Sequence, residues 1–270
     1  MLSVNDITIT SLDIITAYSL AGVPRFILDE LSDAQISNTQ EKEDITGKGG
    51  RKLNSLKKNK AVTVSGTNGM LSAGLLEAQT GSEFEHKEAA PVEWSESLVI
   101  NTNKSATTYK AVGTTGAEIV ALYVKDNTGA ASTKLEQAAT AAEGKFAYDP
   151  STKALTFAES AYADGTEIIV FYTRKVEADQ LGNDSEKYSE KLRLIIDATA
   201  EDKCSNVYHL QIEIPKADFN GDFDIAMGDS QATHAFEAES LVSSASCGTT
   251  GGATNLWTWT IFGANVEDAA

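Results

Sequence analysis

Val207–Ile214 reads VYHLQIEI, and its alternation decides the fold. Tyr208, Leu210, Ile212 and Ile214 fall on one face, with His209, Gln211 and Glu213 on the other. Successive side chains of a strand point to opposite faces, so a period of two marks a half-buried strand. The same texture continues outward. Lys191–Thr199 (KLRLIIDAT) and Thr166–Thr173 (TEIIVFYT) read as buried-type strands, and Ala61–Ser65 (AVTVS), Ala154–Phe157 (ALTF) and Leu256–Phe262 (LWTWTIF) add more. Turn signals at Asp149–Pro150, Asp164–Gly165, Asn220–Gly221 and Cys247–Gly252 separate them. The chain predicts a mainly β protein, an antiparallel β-sandwich or barrel.

One segment reads as a flanking α-helix. Asn68 serves as N-cap, Met70, Leu71, Leu75, Leu76 and Ala78 form the apolar stripe, and Gly81 is the stop. Gly74 inside it counts against helix formation. From Pro91 to Glu177 the chain turns rich in Ala and Thr, with hairpin-like pieces at Ala117–Val124, Lys145–Tyr148 and Ala154–Phe171. Residues 91–177 therefore read as a β-rich insertion, or an elaboration of the same sheets, within a core formed by 1–90 and 178–270.

A chain of 270 residues that is 41% hydrophobic and 23% charged can bury a core without staples. Its net charge of −17 repels a phosphate backbone, which argues against sequence-reading nucleic-acid binding. That charge still suits a wall past which DNA slides. Two cysteines, Cys204 and Cys247, build no disulfide framework and fit a reducing cytoplasm. The first 22 residues carry Asp6 and Asp13 and no base before Arg25, unlike the basic start of a signal peptide. No apolar run is long enough to span a membrane, and a soluble protein is expected.

The charge is segregated. No acid lies between Asp44 and Glu77, while Lys48, Arg51, Lys52, Lys57, Lys58 and Lys60 crowd into GKGGRKLNSLKKNK, read as a long early loop. The polar run Asp33–Asp44 (DAQISNTQEKED) precedes it. Such a loop can be merely solvated, and it lacks the aromatic residues that stack on bases. Pairing with the acidic surface of another copy explains both the loop and the body.

Reactive chemistry is sparse. His86, His209 and His234 stand apart with no zinc-type spacing, so satisfied or surface histidines are expected. No GxSxG elbow occurs, and the glycines at 66, 69 and 74 lack the GK[ST] ending of a phosphate loop. In Asp218–Asp229 (DFNGDFDIAMGD) the glycine falls fourth and Asp229 twelfth, against the sixth-position Gly and twelfth-position Glu of an EF-hand. Phe219, Phe223 and Ile225 suggest instead a hairpin with Asn220-Gly221 at a type I′ tip. Trp257 and Trp259, two apart, face one side as core packing or an interface anchor. The expectation is a structural protein that is not an enzyme and needs neither metal nor cofactor.

The order of these parts resembles the tail tube (major tail) proteins of tailed bacteriophages. The matching stretches are Arg25–Thr46, the basic segment Gly47–Lys60, the strand Ala61–Ser65, the helix Asn68–Gln79, the late stretch Ile214–Leu241 and the strand Leu256–Phe262. The resemblance covers about Arg25–Glu88 and Leu192–Phe262, and the middle segment departs from the minimal pattern. It implies a β-sandwich or barrel that forms hexameric rings stacking head to tail, with the long loop reaching the neighbouring ring. It implies partners that are other copies, tail proteins at the tube ends and a sheath in contractile tails. It also implies a place in the virion after synthesis in the host cytoplasm, and DNA passing through without specific binding. If Ile36 points into the core, Gln35, Ser37, Thr39, Glu41 and Glu43 share the opposite face, the candidate lumen. A capsid decoration protein with a similar core is the second reading, and a hydrolase or carbohydrate-binding β domain the third.

Overall fold

The computed structural model describes residues 6–126, 128–224, 233–242 and 254–263. Two compact units emerge. Met1–Phe84 with Leu181–Ala270 form the first, and Glu85–Gln180 form the second.

The first unit is one curled antiparallel sheet of eight strands. Its members are β1 (Ile7–Ser19), β2 (Pro24–Leu28), β3 (Leu31–Thr46), β4 (Lys52–Asn68), β12 (Lys191–Asp202), β13 (Val207–Phe219), β14 (His234–Ser240) and β15 (Thr258–Gly263). The order runs β2-β1-β12-β13-β14-β4-β3. One edge of β13 pairs with β12, while the other is shared: β15 takes Tyr208–Glu213 and β14 takes Ala217–Phe219. The quoted strand is thus the centre of the sheet. Tyr208, Leu210, Ile212 and Ile214 are all buried, as the alternation requires. Leu210, Ile212 and Ile214 join Ile15, Leu28, Val64, Leu194, Phe219 and Phe236 in one apolar cluster, and Ile36 packs against it. Between Leu192/Ala217 and Leu194/Ile214 the register slips by one on the β13 side, at Pro215–Lys216. A bulge is where a central strand can hold a proline, which has no N–H for the ladder.

The helix α1 (Ala73–Thr80) flanks this sheet. Its N-cap is Ser72, not Asn68: the Ser72 hydroxyl accepts from the Leu75 N–H at 3.3 Å. Met70 and Leu71 lie before the helix and are 62% and 52% exposed, so they are not part of its apolar stripe. Gly81 is the left-handed cap, as read. Gly74 has a packing reason. A Cβ there would stand 2.5 Å from the Phe26 Cβ of β2 and 3.3 Å from the Arg25 carbonyl oxygen. In an open helix Gly→Ala gains about 1 kcal/mol. Here Gly74→Ala is expected to reverse that sign and cost about 1–3 kcal/mol by pushing α1 off β2, read as a lower urea midpoint at unchanged slope.

The second unit is a seven-stranded sheet in the order β5-β11-β7-β8-β9-β10-β6. Its strands are β5 (Glu85–Val99), β6 (Lys104–Ala106), β7 (Ile119–Lys125), β8 (Ala131–Gln137), β9 (Lys145–Asp149), β10 (Ala154–Phe157) and β11 (Glu167–Gln180). Leu122, Leu135, Phe146, Leu155, Ile168, Val170 and Tyr172 make its own core. A small core of its own lets a unit of this size stand as a domain. The segment read as a hairpin, Ala154–Phe171, is not one. β10 pairs with β9 and β6, and β11 pairs with β5 and β7. Arg174 lies over the Tyr109 ring at 3.7 Å and the Trp94 ring at 4.5 Å, a cation–π stack on one face of the β5–β11 pair. Glu96 ties the adjoining loop down, accepting from the Tyr172 hydroxyl at 2.8 Å and the Thr108 N–H at 2.8 Å.

Candidate assembly surface

The basic stretch is not a loop. β3 and β4 form a hairpin joined by a single 3₁₀ turn at Lys48–Gly50, and β4 runs from Lys52 instead of starting at Ala61. β14 leaves β4 at Thr63, so the remainder of β4 pairs with β3 alone. The part beyond Thr39 and Ala61 is a free two-stranded arm on which no residue is buried. A strand with no core on either side has no apolar period, which is why its sequence reads as a loop.

At the root of the arm the register slips once. Thr39 faces Ala61 and Glu41 faces Lys58, so β4 carries an extra residue, and Asn59 there has φ 51°. Asn tolerates this left-handed conformation better than most residues. The bulge puts Lys58 and Asn59 against the acids of β3. The Lys58 ammonium meets Glu43 at 2.7 Å, and the Asn59 amide donates to Glu41 at 2.7 Å. Nearer the tip Lys52 meets Asp44 at 2.5 Å. Two of the six bases expected to seek another copy's acids are therefore engaged within their own arm.

The other four remain available. Lys48 sits in the turn, Arg51 just before β4, Lys57 directly opposite Lys42, and Lys60 beside the bulge. Among the described residues none of the four makes an ion pair. Lys42 facing Lys57 is a like-charge cross-strand pair, which costs a free hairpin stability. Seven bases and three acids lie between Thr39 and Ala61, so the arm stays positive after its internal pairing.

The opposite signature covers one face of the sheet. Because Ile36 turns to the core, Gln35, Ser37, Thr39, Glu41 and Glu43 share the outward side of β3 and all five are exposed. Only the first three stand on the sheet, since Glu41 and Glu43 lie on the arm. The rows continue across the neighbours: Gln35, Ser65 and Glu237 stand in line, as do Ser37, Thr63, Glu239 and Asp218. Sequence reading missed the β4 and β14 members, although the alternation in HAFEAES (234–240) carries the signal. Among the described residues β3 is also the edge of the sheet, with no strand paired to its outer side along 16 residues. Such an edge invites a strand from another chain.

A polar clamp holds α1 behind this face. His234 is fully buried, its Nε2 2.7 Å from Gln79 Oε1 and its Nδ1 3.4 Å from the Ser72 N–H. The neutral ring thus donates from Nε2 and accepts at Nδ1. Gln79 passes the link on by donating to the Ala235 carbonyl at 3.1 Å. Burial pushes the His234 pKa below its ordinary 6.5. An unfolded chain binds that proton more readily, so this stability is complete above pH 6.5 and drains away as pH falls below it. Thermal melts at pH 7.5 and 5.5 are expected to show the loss, and His234→Gln to remove the pH-dependent part. The carboxylates of Asp149 and Asp202, held at about 2 by hydrogen bonds from Ser151 and Asn206, act in a separate window below pH 3.8.

The late stretch departs from expectation. Neither Asn220 nor Gly221 has positive φ, so there is no type I′ tip, and β13 ends at Phe219. Asn220 donates its N–H to the Glu237 carbonyl at 2.8 Å. Gly221 is a close-approach glycine, since a Cβ there would stand 3.2 Å from the Gln79 carbonyl oxygen. Ile225 to Asp229, and the turn signal at Cys247–Gly252, lie outside the described residues. Trp257 packs against the core cluster while Trp259 is 46% exposed, their ring centroids 6.1 Å apart. Among the described residues no cluster of His, Cys, Asp and Glu could hold a metal, and no helix is long and apolar enough to cross a membrane.

The described residues thus bring together an outward polar face, a sheet edge and a charged arm. No curated protein matches the sequence. The YomU/Tube protein family matches residues 8–253, a span that runs through both units, and the chain belongs to that family.

Proposed function

We propose that the protein is the tail tube subunit of a bacteriophage, a structural and non-catalytic protein that builds rings and stacks them into a conduit for DNA. Membership of a tube-protein family supports the reading, and the observation that carries it is the β3–β4 arm. Two long strands leave the sheet and present five cations, Lys42 among them, that make no ion pair among the described residues, on a chain whose net charge is −17. Rings close by covering the β3 edge with a neighbour's strand. The resemblance to tail tubes supports a ring of six. Head-to-tail stacking is a heterologous contact that propagates without closing. The sheet face bearing Gln35, Ser37 and Thr39, continued by Glu237, Glu239 and Asp218, lines the lumen, where like charge keeps DNA from condensing on the wall, while Glu41 and Glu43 go with the arm. Lys48, Arg51, Lys57 and Lys60 are the ring-to-ring adhesive, and Lys52 and Lys58 stiffen the arm through Asp44 and Glu43.

Negative-stain microscopy of the purified chain tests this, with long hollow tubes or stacked rings expected. Monodisperse trimers or monomers at high concentration would overturn it in favour of a capsid decoration role. Lys57→Glu with Lys60→Glu is expected to raise the concentration needed for polymerisation at least tenfold at low salt, leaving the melting temperature within about 2 °C because exposed charges contribute little stability. Lys52→Glu is expected to loosen the arm instead, since it breaks the pair with Asp44.

A further inference from the structure

Three apolar side chains sit where the arm has nothing to bury them. Ile45 is 41% exposed, Leu56 54% and Leu53 67%. Ile45 and Leu56 are diagonal neighbours on one face of the arm, because Glu43 faces Leu56 and Ile45 faces Asn54. Leu53 lies against the tip turn, where Gly47 has no side chain: a Cβ there would fall 2.7 Å from a Leu53 methyl. An exposed apolar cluster at the end of a charged arm is a docking element more than a fold element.

The body of the same unit carries an apolar groove that is open among the described residues. It opens where β3 leaves the core, with a volume of ≈ 520 Å³, and Ile9, Leu12, Ile36, Trp257 and Trp259 are among its walls. Its own arm cannot fill it. Ile36 lines the groove and Ile45 is nine residues further along the same strand, so the tip stands about 30 Å away at roughly 3.4 Å per residue.

We infer that this groove is the seat for the arm tip of a second copy of the chain, with Ile45, Leu53 and Leu56 entering beside Trp257 and Trp259. The inference rests on the tube reading above and names its contact. Charge favours the same pairing. The arm holds seven bases and three acids, which leaves 15 bases and 36 acids for the rest of the chain, and Asp33 stands in the groove wall. Seat and tip differ on each copy, so the contact is heterologous and repeats indefinitely. Its geometry also sets a length. If each tip lands at the arm root of the next copy, the axial repeat of the stack equals the root-to-tip distance, on the order of 30–40 Å.

The test uses the full chain with Cys204→Ser and Cys247→Ser, to which Leu56→Cys and Trp259→Cys are added together or singly. Mild oxidation of assembled double-cysteine protein is expected to give a covalent ladder on a non-reducing gel, while neither single-cysteine protein forms one. Tubes without a ladder overturn the seat and leave the tube reading standing. Failure of the parent protein to form tubes or stacked rings removes both. Ile45→Ser with Leu56→Ser guards against a misfolded groove variant, since both sites are exposed. It is expected to raise the polymerisation threshold at least tenfold with an unchanged melting curve, and an unchanged threshold overturns the inference.

Discussion

A chain whose arm is replaced by a two-residue turn is expected to stay folded and to lose assembly altogether. Thr39 and Ala61 are directly paired, so exchanging everything between them for Asn-Gly closes the hairpin with a favoured type I′ connection. No residue removed is buried, and the apolar cluster of the first unit keeps Val64, Ile36 and every strand pairing on its side of the turn. The melting temperature should therefore move by no more than a few degrees. Sedimentation should show a single small species at concentrations where the full chain makes tubes. Tubes of normal length from the armless chain would show that stacking uses another surface.

Gly66→Val is expected to have the largest effect on the fold itself. Gly66 lies in β4 between Ala34 of β3 and Phe236 of β14. A Cβ there would stand 2.8 Å from the Asp33 carbonyl oxygen and 2.9 Å from the Phe236 ring. The ring packs over the glycine and fills the place a side chain would take, a recognised way of using a glycine within a sheet. Valine adds a Cβ and two methyl groups to a site with no room for the Cβ alone. One obstacle is a ladder carbonyl that cannot move without unzipping β3 from β4. A cost of about 3 kcal/mol follows from overpacking of this kind, or a fall of roughly 10 °C in melting temperature for a unit of this size. Phe236→Ala with Gly66→Val should recover part of the loss. No recovery would mean that the Asp33 carbonyl alone carries the strain.

How much of this was legible depends on whether a strand has a wet side and a dry side. β12, β13 and the first half of β11 do, and their alternation named them directly. β1 hides its period because two register slips, after Ile9 and after Leu12, shift the parity twice within ITITSLDIITAYS. β5 is an edge strand with Ala90 as its single buried residue, which leaves no apolar rhythm and explains how Pro91 can sit there. The helix was legible at its Gly81 end, but Met70 and Leu71 mimicked a stripe that the chain does not bury. For the assembly surface, the sequence exposed the charge division and the β3 face once Ile36 was placed inside. It could not show that Lys58 and Lys52 already answer Glu43 and Asp44, because those pairings depend on the hairpin register and the Asn59 bulge. Nor could it show Gly66, Gly74 and Gly221 as points of close approach, since proximity across a sheet leaves no local mark.

The second unit begins and ends on paired residues: Glu85 of β5 faces Gln180 of β11. Entry and exit therefore lie one strand spacing apart, about 5 Å. Joining Phe84 to Leu181 needs only a short turn, and the first unit's core includes no residue from between them. In genetic terms this is a cassette with adjacent ends. A lineage can lose it, lengthen it or exchange it by recombination while the first unit keeps every one of its strand pairings. Its sequence can then diversify at a pace the strands of the first unit cannot follow.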